Sequence, residues 1–300
     1  MADVLLAVVI PVFAVIAVGA LLARRFDLDV GPITRLAIYG AVPALVFRTL
    51  SSMSLELGAI VRLLTGYVVL LLALAALSWV IVRTSPAAAQ RAFVGSTLFG
   101  NAANMMLPIS LFAFGEAGLE RALLLYVVTA LLMFSLGPLL VGRATCAGQA
   151  LRTVLGFPVL WAALFGLAAG AMGLELPLGV GRAVGLLADA AVPLVLLSLG
   201  VQMSRARALW PSSLNVAAVT IKLVVAPALG YGIGRMVGLG GLDLAALVLV
   251  AAMPTAINLA MLAVEFDGDA AQVGRTVLLG TVASLVTLPV VIALLAPLSP

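Results

Sequence analysis

The chain has 300 residues, of which 64% are hydrophobic and 9% charged, with a mean hydropathy of +1.29. A soluble domain carries about 25% charged residues, so this chain cannot cover a water-facing surface. Histidine is absent and cysteine occurs once, at Cys146, which excludes an internal disulfide and any Cys/His metal centre; the formal charge of +4 is carried by arginines scattered between apolar runs, a mark of topology and not of a nucleic-acid footprint.

A core-spanning helix needs about 20 apolar residues, and ten such stretches follow one another, at 4–23, 33–50, 60–82, 91–113, 119–141, 153–173, 183–203, 212–236, 243–264 and 274–296. The runs are continuously apolar, as in Val68 to Val82, whereas a transmembrane barrel would alternate in short segments. The first stretch follows Asp3 and precedes Arg24 and Arg25, so it is expected to be a retained helix and not a cleaved signal.

Arginines set the expected orientation. With the N-terminus outside, the cytoplasmic loops hold Arg24, Arg25, Arg35, Arg83, Arg91, Arg143, Arg152, Arg205, Arg207 and Arg275, and the outer loops hold Arg48, Arg62, Arg121, Arg182 and Arg235. Ten against five is the bias of cytoplasmic loops, so both termini are expected outside a cytoplasmic (inner) membrane.

Landmarks in the first half recur in the second. Ala41-Val42-Pro43 matches Ala191-Val192-Pro193 at an offset of 150, Pro11-Val12 matches Pro158-Val159 at 147, Asn104 matches Asn258 at 154 and Pro138 matches Pro289 at 151. Two five-helix repeats, 1–147 and 148–300, are expected, joined by the short connection Gly142 to Leu151. An odd number of spans per repeat inverts the second copy, an arrangement found in secondary transporters.

The fourth stretch carries Gly100-Asn101-Ala102-Ala103-Asn104-Met105-Met106-Leu107-Pro108 where a lipid-facing helix would be Leu and Val. Pro108 cannot donate a backbone hydrogen bond and its ring opposes the carbonyl of Asn104, so a break or kink is expected there. The ninth stretch repeats the device in Met253-Pro254-Thr255-Ala256-Ile257-Asn258. Freed backbone groups are tolerated at that depth only against protein or a watery cavity, and each break exposes a half-helix N-terminus suited to an anion. The residues expected to bind substrate are Asn101, Asn104, Pro108, Pro254, Thr255 and Asn258; the plainer alternative is that the prolines kink packed helices and the amides hydrogen-bond between them.

At these residues the chain resembles the auxin efflux carrier family. Gly100-Asn101, Asn104 and Leu107-Pro108 are similar to the Gly-Asn-Thr-Gly-Asn-type segment ending in Leu-Pro that bacterial members carry in the fourth helix, and Pro254 through Glu265-Phe266 is similar to the ninth-helix pattern. Ala102 and Ala103 depart from the commoner Thr-Gly, removing a hydroxyl and a flexible position. The resemblance implies an all-α polytopic fold like that of sodium/proton antiporters and bile-acid transporters, with a scaffold domain and a crossover domain each drawn from both repeats, and with helices four and nine crossing at their prolines. It also implies a small organic anion as substrate (malonate, malate or an auxin-like acid) and a homodimer.

Two buried charges complete the expected site. Lys222 lies about ten residues inside the eighth stretch, where a charge costs roughly 2.5–3.5 kcal/mol on insertion scales. Its partner could be the substrate carboxylate, the negative half-helix ends at the crossing, or Asp189. Asp189, in the outer part of the seventh stretch, is the leading candidate for proton coupling, and an interfacial solvated aspartate is the alternative. Arg48, near the outer end of the second stretch, is expected to reach toward the interface.

The function expected is alternating-access transport of a small organic anion without cofactor or metal, with no nucleic-acid partner. A channel, or a receptor or scaffold on a carrier fold, are the alternatives. An intramembrane enzyme is disfavoured, since no histidine and no Gly-x-Ser-x-Gly elbow supplies a nucleophile with its base.

Overall fold

A computed structural model describes residues 5–53, 55–142, 152, 155–204 and 210–298. Arg143, Cys146, Arg205 and Arg207, and most of the connection between the halves, lie outside the described residues. The described chain is helical, in the order α1 (Leu6–Phe26), α2 (Val30–Ser51), α3 (Leu57–Val82), α4 (Ala87–Leu98), α5 (Ala102–Val141), α6 (Pro158–Met172), α7 (Leu178–Ser204), α8 (Ser213–Met236), α9 (Gly241–Ala251), α10 (Ile257–Glu265) and α11 (Ala270–Leu295). Seven helices, namely α1, α2, α3, α5, α7, α8 and the one that starts at Ala270, are long and apolar enough to cross a bilayer, and α6 and α9 are shorter apolar helices. Large apolar side chains face outward, among them Leu186 (75% exposed) and Leu294 (72%). Such a surface is stable only against lipid, and the protein is a multi-pass membrane protein.

The fourth, fifth and ninth apolar stretches are not simple helices. Helix α5 runs for 40 residues, about 60 Å at 1.5 Å per residue, twice the hydrocarbon thickness. It bends at Gly115, whose φ of 65° and ψ of −161° are open to glycine and strained for other residues. The fourth stretch is thus α4 plus the part of α5 before Gly115, and the fifth is the part after it. The ninth is split into α9 and α10.

The break in the fourth stretch lies at Phe99–Asn101, not at Pro108 as its sequence suggests. Residues Ala102–Met106 form a π-helical turn directly before Leu107-Pro108. The same device precedes Pro11 (Leu5–Val9), Pro43 (Ala37–Ala41) and Pro227 (Ile221–Val225). A π turn shifts the hydrogen-bond register by one residue, so the helix passes a proline that lacks its N–H without ending.

Packing between distant helices rests on glycine. A Cβ on Gly19 of α1 or Gly200 of α7 would collide with the backbone of the other helix, at Leu197 and Ile16 respectively. Gly166 and Gly170 of α6 likewise face the backbone of Phe47 and Ser51 in α2. In lipid, where burying apolar side chains gives little drive to associate, such backbone approach is a main source of helix–helix attraction.

Candidate functional site

The two interruptions cross. Gly100 and Thr255 form an antiparallel bridge; the Asn101 N–H donates to the Pro254 carbonyl at 2.7 Å, and the Ala256 N–H donates to the Phe99 carbonyl at 2.9 Å. Each break therefore satisfies backbone groups of the other, which makes extended chain tolerable at this depth. The Thr255 hydroxyl, 1% exposed as a residue, donates to the Ser96 carbonyl at 2.8 Å and satisfies one of the last carbonyls of α4.

Beside the bridge lies a narrow recess with a cavity volume of about 20 Å³, room for about one water molecule. Asn101 and Asn258 both line it, with Gly100, Ala102, Ala103 and Ala256 from the breaks and Tyr126, Thr129, Ala130 and Met133 from α5. Asn104, Pro108, Pro254 and Thr255 are not among its lining residues. They shape the crossing from behind: Pro108 is buried after the π turn, and the Asn104 N–H donates to Asn101 Oδ1 at 3.4 Å.

That last bond orients Asn101. Its oxygen is fixed by a backbone donor, so its Nδ2 points elsewhere; Asn101 is 3% exposed and Nδ2 is buried without a hydrogen-bond partner. A buried donor left empty costs about 1–3 kcal/mol and calls for an acceptor. Close by, α10 begins without a side-chain cap, so Asn258 sits in an uncapped first turn bearing partial positive charge. Thr129 is held by Tyr67 at 2.6 Å and also donates to the Leu125 carbonyl at 2.7 Å, which positions its oxygen on the recess wall. The unpartnered Asn101 amide and the uncapped start of α10 suit an acceptor or anion, while the Thr129 oxygen, its own hydrogen committed to Leu125, only accepts.

Lys222, in the π turn of α8, is 3% exposed. A Cβ on Gly100 would lie 3.3 Å from its Cε and Nζ, so the ammonium abuts the break at the C-terminal side of α4, where helix carbonyls gather. Lys222 does not line the recess; Gly100 touches both. Asp189 lies elsewhere. Its Oδ1 accepts from Arg48 Nη1 at 2.6 Å, with side chains 69% and 38% exposed respectively, and the same guanidinium reaches the Gly185 carbonyl at 3.4 Å. This pair joins α7 to α2. A second ion pair, Arg121 to Asp243 at 2.6 Å, joins α5 to α9. Among the described residues no group of His, Cys, Asp and Glu side chains could hold a metal.

The sequence motif missed the α5 wall. Tyr126 and Thr129, three residues apart, share a helix face, and two polar groups on one face of an otherwise apolar run are the signal that marks it.

Residues 143–292 match the model of a family described as membrane transport protein. The chain is 31% identical over 270 residues to an uncharacterized transporter of Methanothermobacter thermautotrophicus, covering 87% of each chain. It is 28% identical over 300 residues to a protein of Rhizobium meliloti named "Putative malonate transporter", covering 93% of this chain and 92% of that one, and 24% identical over 198 residues to an uncharacterized transporter of Methanocaldococcus jannaschii, covering 64% of each. The chain belongs to this family of membrane transport proteins, and the resemblance to auxin efflux carriers carried by the fourth and ninth stretches is borne out.

Proposed function

We propose that the protein is a secondary transporter of a small carboxylate, which binds between Asn101, Asn258 and the uncapped start of α10 when the recess, about 20 Å³ as it stands, widens to admit it. The observation that carries this reading is Asn101 Nδ2, a buried donor aimed away from its own helix cap and lacking any partner. The name of the Rhizobium meliloti relative makes malonate the first substrate to try.

Ten spans in two inverted repeats are supported by how the helices pair. Helix α1 packs on α7 and α6 on α2; α3 packs on α4 and α8 on α9; α5 packs on α9 and α11 on α4. Exchanging the halves converts the first member of each couple into the second, with α4 and the start of α5 standing for the broken span of one repeat and α9 with α10 for that of the other. The α1, α2, α6 and α7 group forms the scaffold, and the crossing helices belong to the moving part. The scaffold's apolar face around Trp161 and Phe165 of α6 is where a second copy would dock. The arginine bias places both termini outside, so the Arg48–Asp189 and Arg121–Asp243 pairs lie at the outer face. Lys222 compensates the helix ends at the crossing, and Asp189, paired with Arg48 away from the recess, is the carboxylate to test for proton coupling.

The test is uptake of labelled malonate and malate into proteoliposomes, with and without an imposed pH gradient and membrane potential. Saturable uptake and counterflow, reduced at least about tenfold in Asn101→Ala, are expected; loss of one hydrogen bond donated to a charged acceptor accounts for about 1.4 kcal/mol or more. Normal transport by both Asn101→Ala and Asn258→Ala would sink the site assignment. Flux without saturation or counterflow would indicate a channel.

A further inference from the structure

The recess has a neighbour. A wider vestibule, of about 430 Å³ against about 20 Å³ for the recess, is lined by Thr34, Arg35, Tyr39, Met261 and Glu265. Four residues line both spaces: Ile38, Phe134, Phe157 and Asn258. The two cavities therefore meet at a wall one side chain thick.

That wall is built from separate parts of the fold. Ile38 lies in the π turn Ala37–Ala41 of α2, Phe157 is the extended residue before α6, and Phe134 projects from α5. The rings of Phe134 and Phe157 pack with centroids 4.6 Å apart and planes tilted by 44°. Phe157 is 6% exposed although it precedes the first turn of its helix, so the aromatic contact fills space where the chain itself leaves a gap. Met133, one residue before Phe134, lines the recess alone, and Tyr39, one residue after Ile38, lines the vestibule alone.

The mouth beyond this wall carries charge of both signs, in the exposed side chains of Arg35 and Glu265. Neither makes an ion pair among the described residues. Arg35 offers a screened attraction to an approaching carboxylate, and the recess beyond Asn258 offers the unpartnered amide. Arg35, Gly156 and Glu265 all belong to loops or helix ends on the cytoplasmic side by the arginine bias.

We propose that Phe134, Phe157 and Ile38 form the cytoplasmic gate of the transport site: a single aromatic and aliphatic layer that seals the Asn101–Asn258 recess from the Arg35 vestibule. The inference rests on the carrier reading, because a gate presupposes a site that opens to one side at a time. Phe134 belongs to the crossing part and Phe157 and Ile38 to the scaffold, so displacement of one against the other parts the two rings. Ile38, Phe134 and Phe157 are apolar and hold back water and ions while they are closed, and Asn258, the fourth residue shared by the two spaces, is the one polar group on the wall.

Cysteine accessibility tests this without any substrate. In a Cys146→Ser background, Ala103→Cys reports on the recess and Met261→Cys on the vestibule, each in inside-out vesicles treated with a membrane-impermeant methanethiosulfonate carrying a sulfonate. Met261→Cys is expected to react at once and Ala103→Cys at least tenfold more slowly. Adding Phe157→Ala should accelerate labelling of Ala103→Cys about tenfold and leave Met261→Cys unchanged, and Phe134→Ala, made separately, should do the same should the first double variant fold poorly. Equal labelling of the two reporters, or no acceleration by either alanine, would overturn the gate. Malonate uptake plays no part in the readout, so a carrier of some other solute still passes or fails on the gate alone, and failure of malonate uptake with gated labelling intact would count only against the substrate.

Discussion

Lys222 occupies the space beside Gly100 at the crossing: a methyl group on Gly100 would sit 3.3 Å from the lysine Cε and Nζ. The only lysine of the chain is thus spent on the point where one helix stops inside the membrane. Replacing it with Met leaves the carbonyl ends of α4 uncompensated, at a cost of about 1–2 kcal/mol by helix-end electrostatics. Lys222→Met should therefore lower the unfolding temperature of the detergent-solubilised protein, and Lys222→Arg should restore part of it. An unchanged melting profile in Lys222→Met would show that the ammonium does not hold the crossing together.

Thr255 and Asn101 should separate cleanly. The Thr255 hydroxyl serves the Ser96 carbonyl, so Thr255→Val is expected to cost about 1 kcal/mol of stability and to leave the KM for substrate within about twofold of the parent. A KM shift as large as that of Asn101→Ala would place the hydroxyl on the substrate instead.

The seam between α1 and α7 has no room. A Cβ at Gly200 would meet the Ile16 carbonyl, and overpacking of this kind costs about 1–3 kcal/mol. Gly200→Val should reduce the yield of folded, monodisperse protein, whereas Gly232→Ala, where a Cβ would meet nothing within 4 Å, should be neutral.

The Arg48–Asp189 pair is largely exposed, with side chains 38% and 69% accessible, and such pairs contribute at most about 1 kcal/mol once solvent screening is allowed for. Arg48→Ala should leave stability almost unchanged. Asp189→Asn decides the coupling question: uptake driven by a pH gradient that survives the change removes Asp189 from the proton path, and its selective loss, with counterflow intact, assigns it there.

Hydropathy made the membrane-spanning segments legible, because nothing but a helix satisfies a continuous apolar run in lipid. The two interruptions were legible too, since proline, glycine and asparagine stand out against Leu and Val. Their position was not. Pro108 suggests a break at itself, yet the π turn Ala102–Met106 absorbs the missing donor and the chain opens at Phe99–Asn101, where the bridge to Pro254 and Thr255 satisfies it. Periodicity along one strand of sequence cannot reveal a partner 150 residues away. The same limit hid the Arg48–Asp189 pair, the Thr255 bond to Ser96, and the contributions of Ile38, Phe134 and Phe157 to the recess wall, all of which are set by how remote helices meet.

The bridge between Gly100 and Thr255 has a mechanical meaning. Two backbone hydrogen bonds between buried segments work as a rivet through both breaks. Opening one side by tilting α10 alone would shear it, exposing four backbone groups to lipid or vacant space. On the carrier reading proposed above, the four half-helices that meet there travel together as one piece, and the sliding falls along the contacts that α1, α2, α6 and α7 present to the rest of the molecule, not along the tight glycine seams within that group.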